Sequence, residues 1–243
     1  MIRARQRFLA TGAYHRISDA VAHVAARAAF TAVEEGGQQV TVLDVGCGEG
    51  HHTRRVAAAL EAGPSREGPV AAVVAGIDVA KAAIALAARA HPEGWYAVAS
   101  AADLPVGTGA VDVALNVFGP VMPEELARVI RPGGTAVSVH PGPDHLGALR
   151  RLVYTDARPH EVKDPLRAGG EWFAAAGSLR VTFPVVIHGA DALADLFAMT
   201  PYRWHAPPDI AERLAAEVAA PGGFRVEADV VVSSHRRHRS PGP

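Results

Sequence analysis

The first residues able to do chemistry form the run Leu43-Asp44-Val45-Gly46-Cys47-Gly48-Glu49-Gly50. Glycines at alternate positions let a backbone bend sharply and let a ligand approach with no Cβ in the way. Such a loop alone serves several nucleotide-binding folds. Two downstream carboxylates narrow the reading. Asp78, which closes Gly76-Ile77-Asp78, is placed to accept both hydroxyls of a ribose, and Asp103-Leu104-Pro105 to meet the edge of an adenine ring. The glycine pattern is GxGxG. A dinucleotide fold would show GxGxxG, with a later glycine at the pyrophosphate.

These residues act only if strand ends carry them to one edge of a sheet, where open α/β folds bind ligands. Val40-Thr41-Val42-Leu43-Asp44-Val45 is a short β-branched run that reads as a buried strand. Further strands are expected at 70–77, 95–99, 111–117 and 135–139, with helices at 51–61, up to residue 89, and at 123–130 between them. Arg131-Pro132-Gly133-Gly134 reads as a turn. Upstream, Ile17, Val21, Val24, Ala25, Ala28 and Val33 keep helical spacing over 17–34, and Gly36-Gly37 ends that helix. Downstream, helices at 144–154, 190–199 and 209–218 and strands at 181–187 and 224–232 are less regular. The alternation predicts an α/β fold: a mostly parallel, seven-stranded sheet, helices on both faces, its last two strands a late hairpin-like pair. His235 to Pro243 reads as a flexible basic tail.

Composition works by exclusion. The chain has 243 residues, 25 acidic and 24 basic, for a net charge of −1. That balance excludes a generally basic, nucleic-acid-coating protein but not a local basic patch. Cys47 is the single cysteine, so the chain forms no internal disulfide and no CxxC-type zinc site, and no metal is expected. The start, Met1 to Arg7, lacks the apolar core of a secretory signal. No apolar stretch approaches the ~20 residues of a membrane span. A soluble, cytoplasmic protein is predicted.

Over residues 40–141 the chain resembles the Rossmann-like class I S-adenosylmethionine-dependent methyltransferases, through the glycine loop, Gly76-Ile77-Asp78 and Arg131-Pro132-Gly133-Gly134. A narrower resemblance covers nearly the whole chain. Arg7-Phe8-Leu9-Ala10-Thr11-Gly12-Ala13-Tyr14, Ser18-Asp19-Ala20, Pro141-Gly142-Pro143-Asp144-His145-Leu146 and Met199-Thr200-Pro201-Tyr202-Arg203-Trp204 are similar to bacterial methyltransferases that modify guanine N1 in 23S ribosomal RNA. Some members protect antibiotic producers against their own macrolides. The resemblance implies S-adenosylmethionine as cofactor, held by Tyr14, Asp44, Gly46, Cys47, Gly48, Gly50, His51, Asp78, Asp103 and His145. It puts 200–204 on the substrate side, where Tyr202 or Trp204 can stack on a purine. It divides the chain into a helical segment covering the cofactor (1–36), the cofactor core (37–141), a substrate-side part (142–234) and the tail (235–243). A homodimer is implied by resemblance alone.

Methyl transfer to guanine N1 needs the N1 lone pair released, by a general base or by a stabilising contact to O6. Asn116, in Asn116-Val117-Phe118-Gly119-Pro120, is placed to hold an amide-like base edge and resembles the Asn-Pro-Pro-aromatic turn of amino-group methyltransferases, without the first proline. His140, with His145, His51 and His52, is an available base. Asn116 and His140 are the catalytic candidates. The chain departs from the family in one respect: members carry an N-terminal zinc ribbon with four Cys/His ligands, and here the expectation is that the ribbon is missing. The acceptor is thereby left open between 23S ribosomal RNA and a small molecule of natural-product biosynthesis. A non-catalytic cofactor-binding partner protein is the third reading.

Overall fold

The computed structural model describes residues 1–63 and 69–239. Ser240 to Pro243, the end of the expected tail, lies outside the described residues.

Helix α1 (Ile2–Ala10) precedes α2 (His15–Glu34). Four polar residues in a row of nine, Arg3, Arg5, Gln6 and Arg7, gave α1 no helical signature, yet it buries Ala4, Phe8 and Leu9 on one side. Then come β1 (Val40–Val45), α3 (His51–Ala62), β2 (Ala72–Asp78), α4 (Lys81–Ala90), β3 (Trp95–Val98), β4 (Val111–Val117), α5 (Pro123–Val129) and β5 (Ile130–Pro141). The remainder is α6 (Gly147–Val153), β6 (Phe173–Ile187), α7 (Ala190–Met199), α8 (Ile210–Ala219) and β7 (Phe224–Arg237).

The seven strands lie in the order β3-β2-β1-β4-β5-β7-β6. Neighbours from β3 to β5 are parallel. Ser234 meets Gly177 while Asp229 meets Thr182, so β7 and β6 run in opposite directions and the sheet is mixed. The expected late pair is present, with β7 next to the parallel core.

Contacts divide the chain into two compact units. The larger holds Ile17–His140, Lys163–Leu179 and the chain from Val231 onward; the smaller holds Met1–Arg16, Pro141–Val162 and Arg180–Val230. Leu43, Val45, Ile77, Ala114, Leu126, Ile130, Ala136, Leu166 and Phe173 form a core of the larger unit. In the smaller unit, Arg7 makes a two-pronged pair with Asp195 (2.7 and 2.5 Å), fastening α1 to α7.

Two local readings change. Arg131 to Gly134 is not a simple turn before β5. Val111 pairs with Ile130 and Val113 with Thr135, so these residues bulge within the strand, with Gly133 at φ 80°. His235 to Arg237 are strand, not tail: His235 is 2% exposed, and Arg236 and Arg239 both pair with Glu35. A run of cations reads as solvated unless its acidic partner, some 200 residues away, is known.

Candidate functional site

Strand β1 delivers the glycine loop to the carboxyl edge of the sheet. Gly46, Gly48 and Gly50 have φ of 81°, 58° and 76°, a region costly for any residue with a Cβ. The Gly46 and Cys47 N–H groups both donate to the Ile77 carbonyl, which ties the bend to the end of β2. Asp44 is 1% exposed and accepts the Thr53 hydroxyl at 2.5 Å from the first turn of α3. Glycine is also required at Gly76, where a Cβ would lie 2.8 Å from the Tyr96 ring and 2.9 Å from Cys47 Sγ.

Asp78 ends β2, facing the same loop. Its Oδ2 accepts Gly48 N–H (3.0 Å) and its Oδ1 accepts Ala80 N–H (2.8 Å). A carboxylate offers about four lone-pair sites, so each oxygen keeps one for a hydroxyl. The cap residue of α4 is Ala80, so Asp78 is not the helix cap. These groups fit a nucleoside cofactor such as S-adenosylmethionine: a backbone stripped of Cβ atoms beside a carboxylate already oriented by two amides.

The next strand ends carry the catalytic candidates. Asn116 is 3% exposed, and its amide nitrogen donates to the carbonyls of Val45 (3.1 Å) and Pro120 (3.0 Å). Both amide hydrogens are therefore engaged with backbone carbonyls, which fixes Asn116 at the sheet edge. His140 lies on β5, on the sheet face shared with Ala136 and Ser138. It is 7% exposed, and neither ring nitrogen has a hydrogen-bond partner. Burial lowers its basicity, partly opposed by Asp164, and His235 lowers it further. His235 Nε2 lies 3.1 Å from Asp164. A buried neutral imidazole beside a carboxylate is chemically able to take up a proton.

Around α3, the Ser18 hydroxyl lies 3.1 Å from His51 Nε2 and 3.2 Å from His52 Nδ1, joining α2 to the first turn after the glycine loop. Asp103 is exposed, but its loop is fixed: Leu104 N–H donates to Glu125, and Arg128 returns to the carbonyls of Leu104 and Val106. All of these residues belong to the larger unit.

Four predicted residues belong to the smaller unit. Tyr14 (2% exposed) packs edge-on against Phe8 and lies 6.2 Å from the His145 ring. Burial holds the Tyr14 phenol well above its ordinary range. Burial and then His160 push His145 down to about 4, and its Nδ1 accepts Asp229 N–H. Tyr202 is 7% exposed, bonded through its hydroxyl to His160 (3.0 Å), and burial raises it to about 12. Trp204 is 72% exposed, with the Arg203 guanidinium 3.9 Å over its ring. Of the two aromatics, only Trp204 presents a face for stacking as the chain stands.

Sequence reasoning missed Thr53, Ser18, Tyr96 and Asp229. Asp229 is the centre of the Pro141-to-Leu146 motif: it binds Arg180 (2.8 and 2.9 Å), Thr182 and Asp144 N–H, and a Cβ on Gly142 would collide with it. Arg180 holds its carboxyl down near 2. The glycine and proline of that motif were a signal that something packs there, without saying what. Among the described residues no group of three His, Cys, Asp or Glu side chains is arranged to hold a metal, and no helix is long and apolar enough to cross a membrane.

The family profile described as "Methyltransferase domain" matches residues 42–134. A 23S rRNA (guanine(748)-N(1))-methyltransferase of Streptomyces fradiae is 37% identical over 232 residues, covering 95% of this chain and 77% of that protein. Among solved structures, the YcgJ protein of Bacillus subtilis superposes with a TM-score of 0.56 at 14% identity, over 88% of this chain and 99% of that one. A geranyl diphosphate methyltransferase in complex with S-adenosylmethionine gives 0.52 at 17% identity, over 96% and 90%.

Proposed function

The chain belongs to the 23S ribosomal RNA guanine-N1-methyltransferases, and from that premise we propose that it methylates N1 of a guanine in 23S ribosomal RNA and protects its host against a macrolide. The observation that carries the reading is the Asp78 carboxylate, half-dressed by Gly48 and Ala80 amides beside three left-handed glycines. S-adenosylmethionine supplies an electrophilic methyl group on a sulfonium. The protein's part is alignment: Asp78 takes the ribose hydroxyls, the 46–50 loop admits the donor closely, and the Asp103 loop meets the adenine edge. Tyr14 and His145 are assigned to the cofactor on their match to the family motifs. His140 is the assigned proton acceptor, since it is buried, neutral and without a hydrogen-bond partner. Residues 37–141 hold the cofactor in this reading and residues 142–234 select the substrate. A cytoplasmic location and a homodimer belong to the same proposal.

One observation favours a small-molecule acceptor instead. The net charge is −1, and Arg131, Arg236 and Arg239 converge on Glu35, which withdraws three cations from phosphate binding. The deciding experiment is labelled methyl transfer, comparing 23S ribosomal RNA with small-molecule extracts, followed by primer extension on RNA from expressing cells. A new stop at one guanine is expected, with position 748, the target in the Streptomyces relative's name, the first to inspect. Label in the extract and no stop in the RNA would overturn the RNA reading.

A further inference from the structure

The smaller unit holds a cavity of about 420 Å³ between α6 and the first residues of β7. Three arginines line it, Arg150 and Arg151 from α6 and Arg225 from β7. Arg150 is 7% exposed, and its Nη2 donates to the Pro143 carbonyl at 2.9 Å. Its Nε and Nη1, which carry three of the five guanidinium N–H donors, are buried with no hydrogen-bond partner. A buried, unpaired charge is costly, and one carbonyl offsets little of that cost. Burial lowers the basicity of His160 and Arg150 lowers it further, so the charge is felt at a neighbouring ring without being cancelled. Arg151 and Arg225 are exposed, and neither guanidinium has a hydrogen bond or ion pair among the described residues. A Cβ added to Gly147 would stand 3.5 Å from Arg151 Nη1 and 3.7 Å from Arg150 Nη2, so two of the three forks converge there. Asp144 and Glu227 also line the cavity, but the charges of both bear on Arg180, Asp144 from 3.8 Å. The space is in the range for a small ligand, and its uncompensated charge is positive.

We propose that this cavity takes up a phosphate group, a backbone phosphodiester of the RNA acceptor, held by the Arg151 and Arg225 forks over the buried Arg150 charge. The chemistry matches: a guanidinium fork pairs with phosphate oxygens two at a time. Phosphate contacts fix the register of a nucleic acid without reading its sequence. A chain of net charge −1 has no general attraction for RNA, so a local site must supply it. These three arginines, unlike those spent on Glu35, are free to do so. The RNA source of the phosphate rests on the methyltransferase reading above; the site itself does not.

The test uses the full chain with Arg151→Gln/Arg225→Gln, with Arg150→Met and, as a charge-matched control, with Arg27→Gln/Arg89→Gln on exposed residues of the larger unit. Binding to unmodified 23S ribosomal RNA is read over a salt series, beside methyl transfer, S-adenosylmethionine affinity and melting temperature. The cavity double variant is expected to bind RNA roughly ten- to a hundredfold more weakly, as for lost charge-assisted hydrogen bonds. Its salt slope should fall by about one, for one phosphate. The loss should appear in KM, with kcat and cofactor affinity within about twofold of wild type. Arg150→Met is expected to bind RNA more weakly yet melt no lower, because a buried unpaired charge is gone; a lower melting temperature with full RNA affinity would overturn its part. An equal loss in the control, or unchanged affinity and slope in the cavity double variant, would overturn the RNA phosphate. Inorganic phosphate tests the site separately: at matched ionic strength it should raise the melting temperature of the wild type and not of the cavity double variant. That shift without any effect on RNA supports the site and assigns it to a free phosphorylated ligand. If the wild type binds no RNA at all, the RNA reading fails while the phosphate shift still supports the site; no shift and no RNA effect overturn the site itself.

Discussion

Asp78 shows how much a single carboxylate can carry. Its two accepted amides, one of them from the glycine loop, fix its rotamer and leave each oxygen a lone pair. Asp78→Ala is expected to weaken S-adenosylmethionine binding by about 1–3 kcal/mol, the range for losing charge-assisted hydrogen bonds. Calorimetry on both proteins checks this, and unchanged affinity would remove the ribose assignment. Asp78→Asn keeps one acceptor oxygen and should fall between the two. Residues such as Asp78 were legible because their meaning is local: an acid at a strand end, glycines at alternate positions. Asn116 was legible as a residue of interest but not in its use, since the carbonyl it binds, Val45, is 71 residues away. Thr53 was silent for a related reason. A threonine in the first turn of a helix has no signature until Asp44 is seen 2.5 Å from it.

Elements were predicted well where hydrophobic periodicity was clean and poorly where the stabilising partner was remote. Strand β4 has the expected bounds, as a short apolar run, and helix α7 has them too, although its part of the chain reads as less regular. Helix α1 was unforeseen, because its apolar face is only Ala4, Phe8 and Leu9 and its charge finds Asp195 on α7. That face makes a direct prediction. Phe8 is 1% exposed and packs against Tyr14, so Phe8→Ala should cost about 3–5 kcal/mol of stability, as for other buried aromatics. Denaturant unfolding measures it, and a loss under about 1 kcal/mol would mean that α1 docks only loosely. The β1–α3 connection makes another. At Gly46, φ 81°, an added Cβ would meet only Gly119 Cα, at an ordinary contact distance of 3.9 Å. Gly46→Ala should therefore cost only the left-handed backbone penalty, about 1–2 kcal/mol, measurable in the same unfolding experiment. A larger loss would reveal a steric clash that the structure does not contain.

At the scale of the whole molecule, the most consequential pattern is electrostatic and could not be read from a net charge of −1. Four histidines have their basicity lowered chiefly by burial: His145 and His160 in the smaller unit, His140 and His235 in the larger. Composition counts twelve histidines but cannot say which are buried. In the unfolded chain each takes up a proton near 6.5, whereas folded His145 resists until about 4. Between those values the unfolded state binds more protons, so stability falls as pH falls. His145 is packed by Asp229, His160 and Arg150; the carboxylate opposes the shift and the other two reinforce it. The full shift corresponds to roughly 3 kcal/mol, of which about 1–2 is already lost at pH 5.5. Asp229 cannot account for a loss in this window. Its carboxyl is held near 2, so its stabilisation is intact above its ordinary 3.8 and disappears only as pH falls through that lower value. Melting curves at pH 7.5 and 5.5 should therefore show a clear drop for the wild type. His145→Gln, which can still accept the Asp229 N–H but does not titrate, should show a drop smaller by about 1–2 kcal/mol. Equal losses in the two proteins would mean that His145 is hydrated and titrates normally, and that the acid sensitivity belongs to the other three imidazoles.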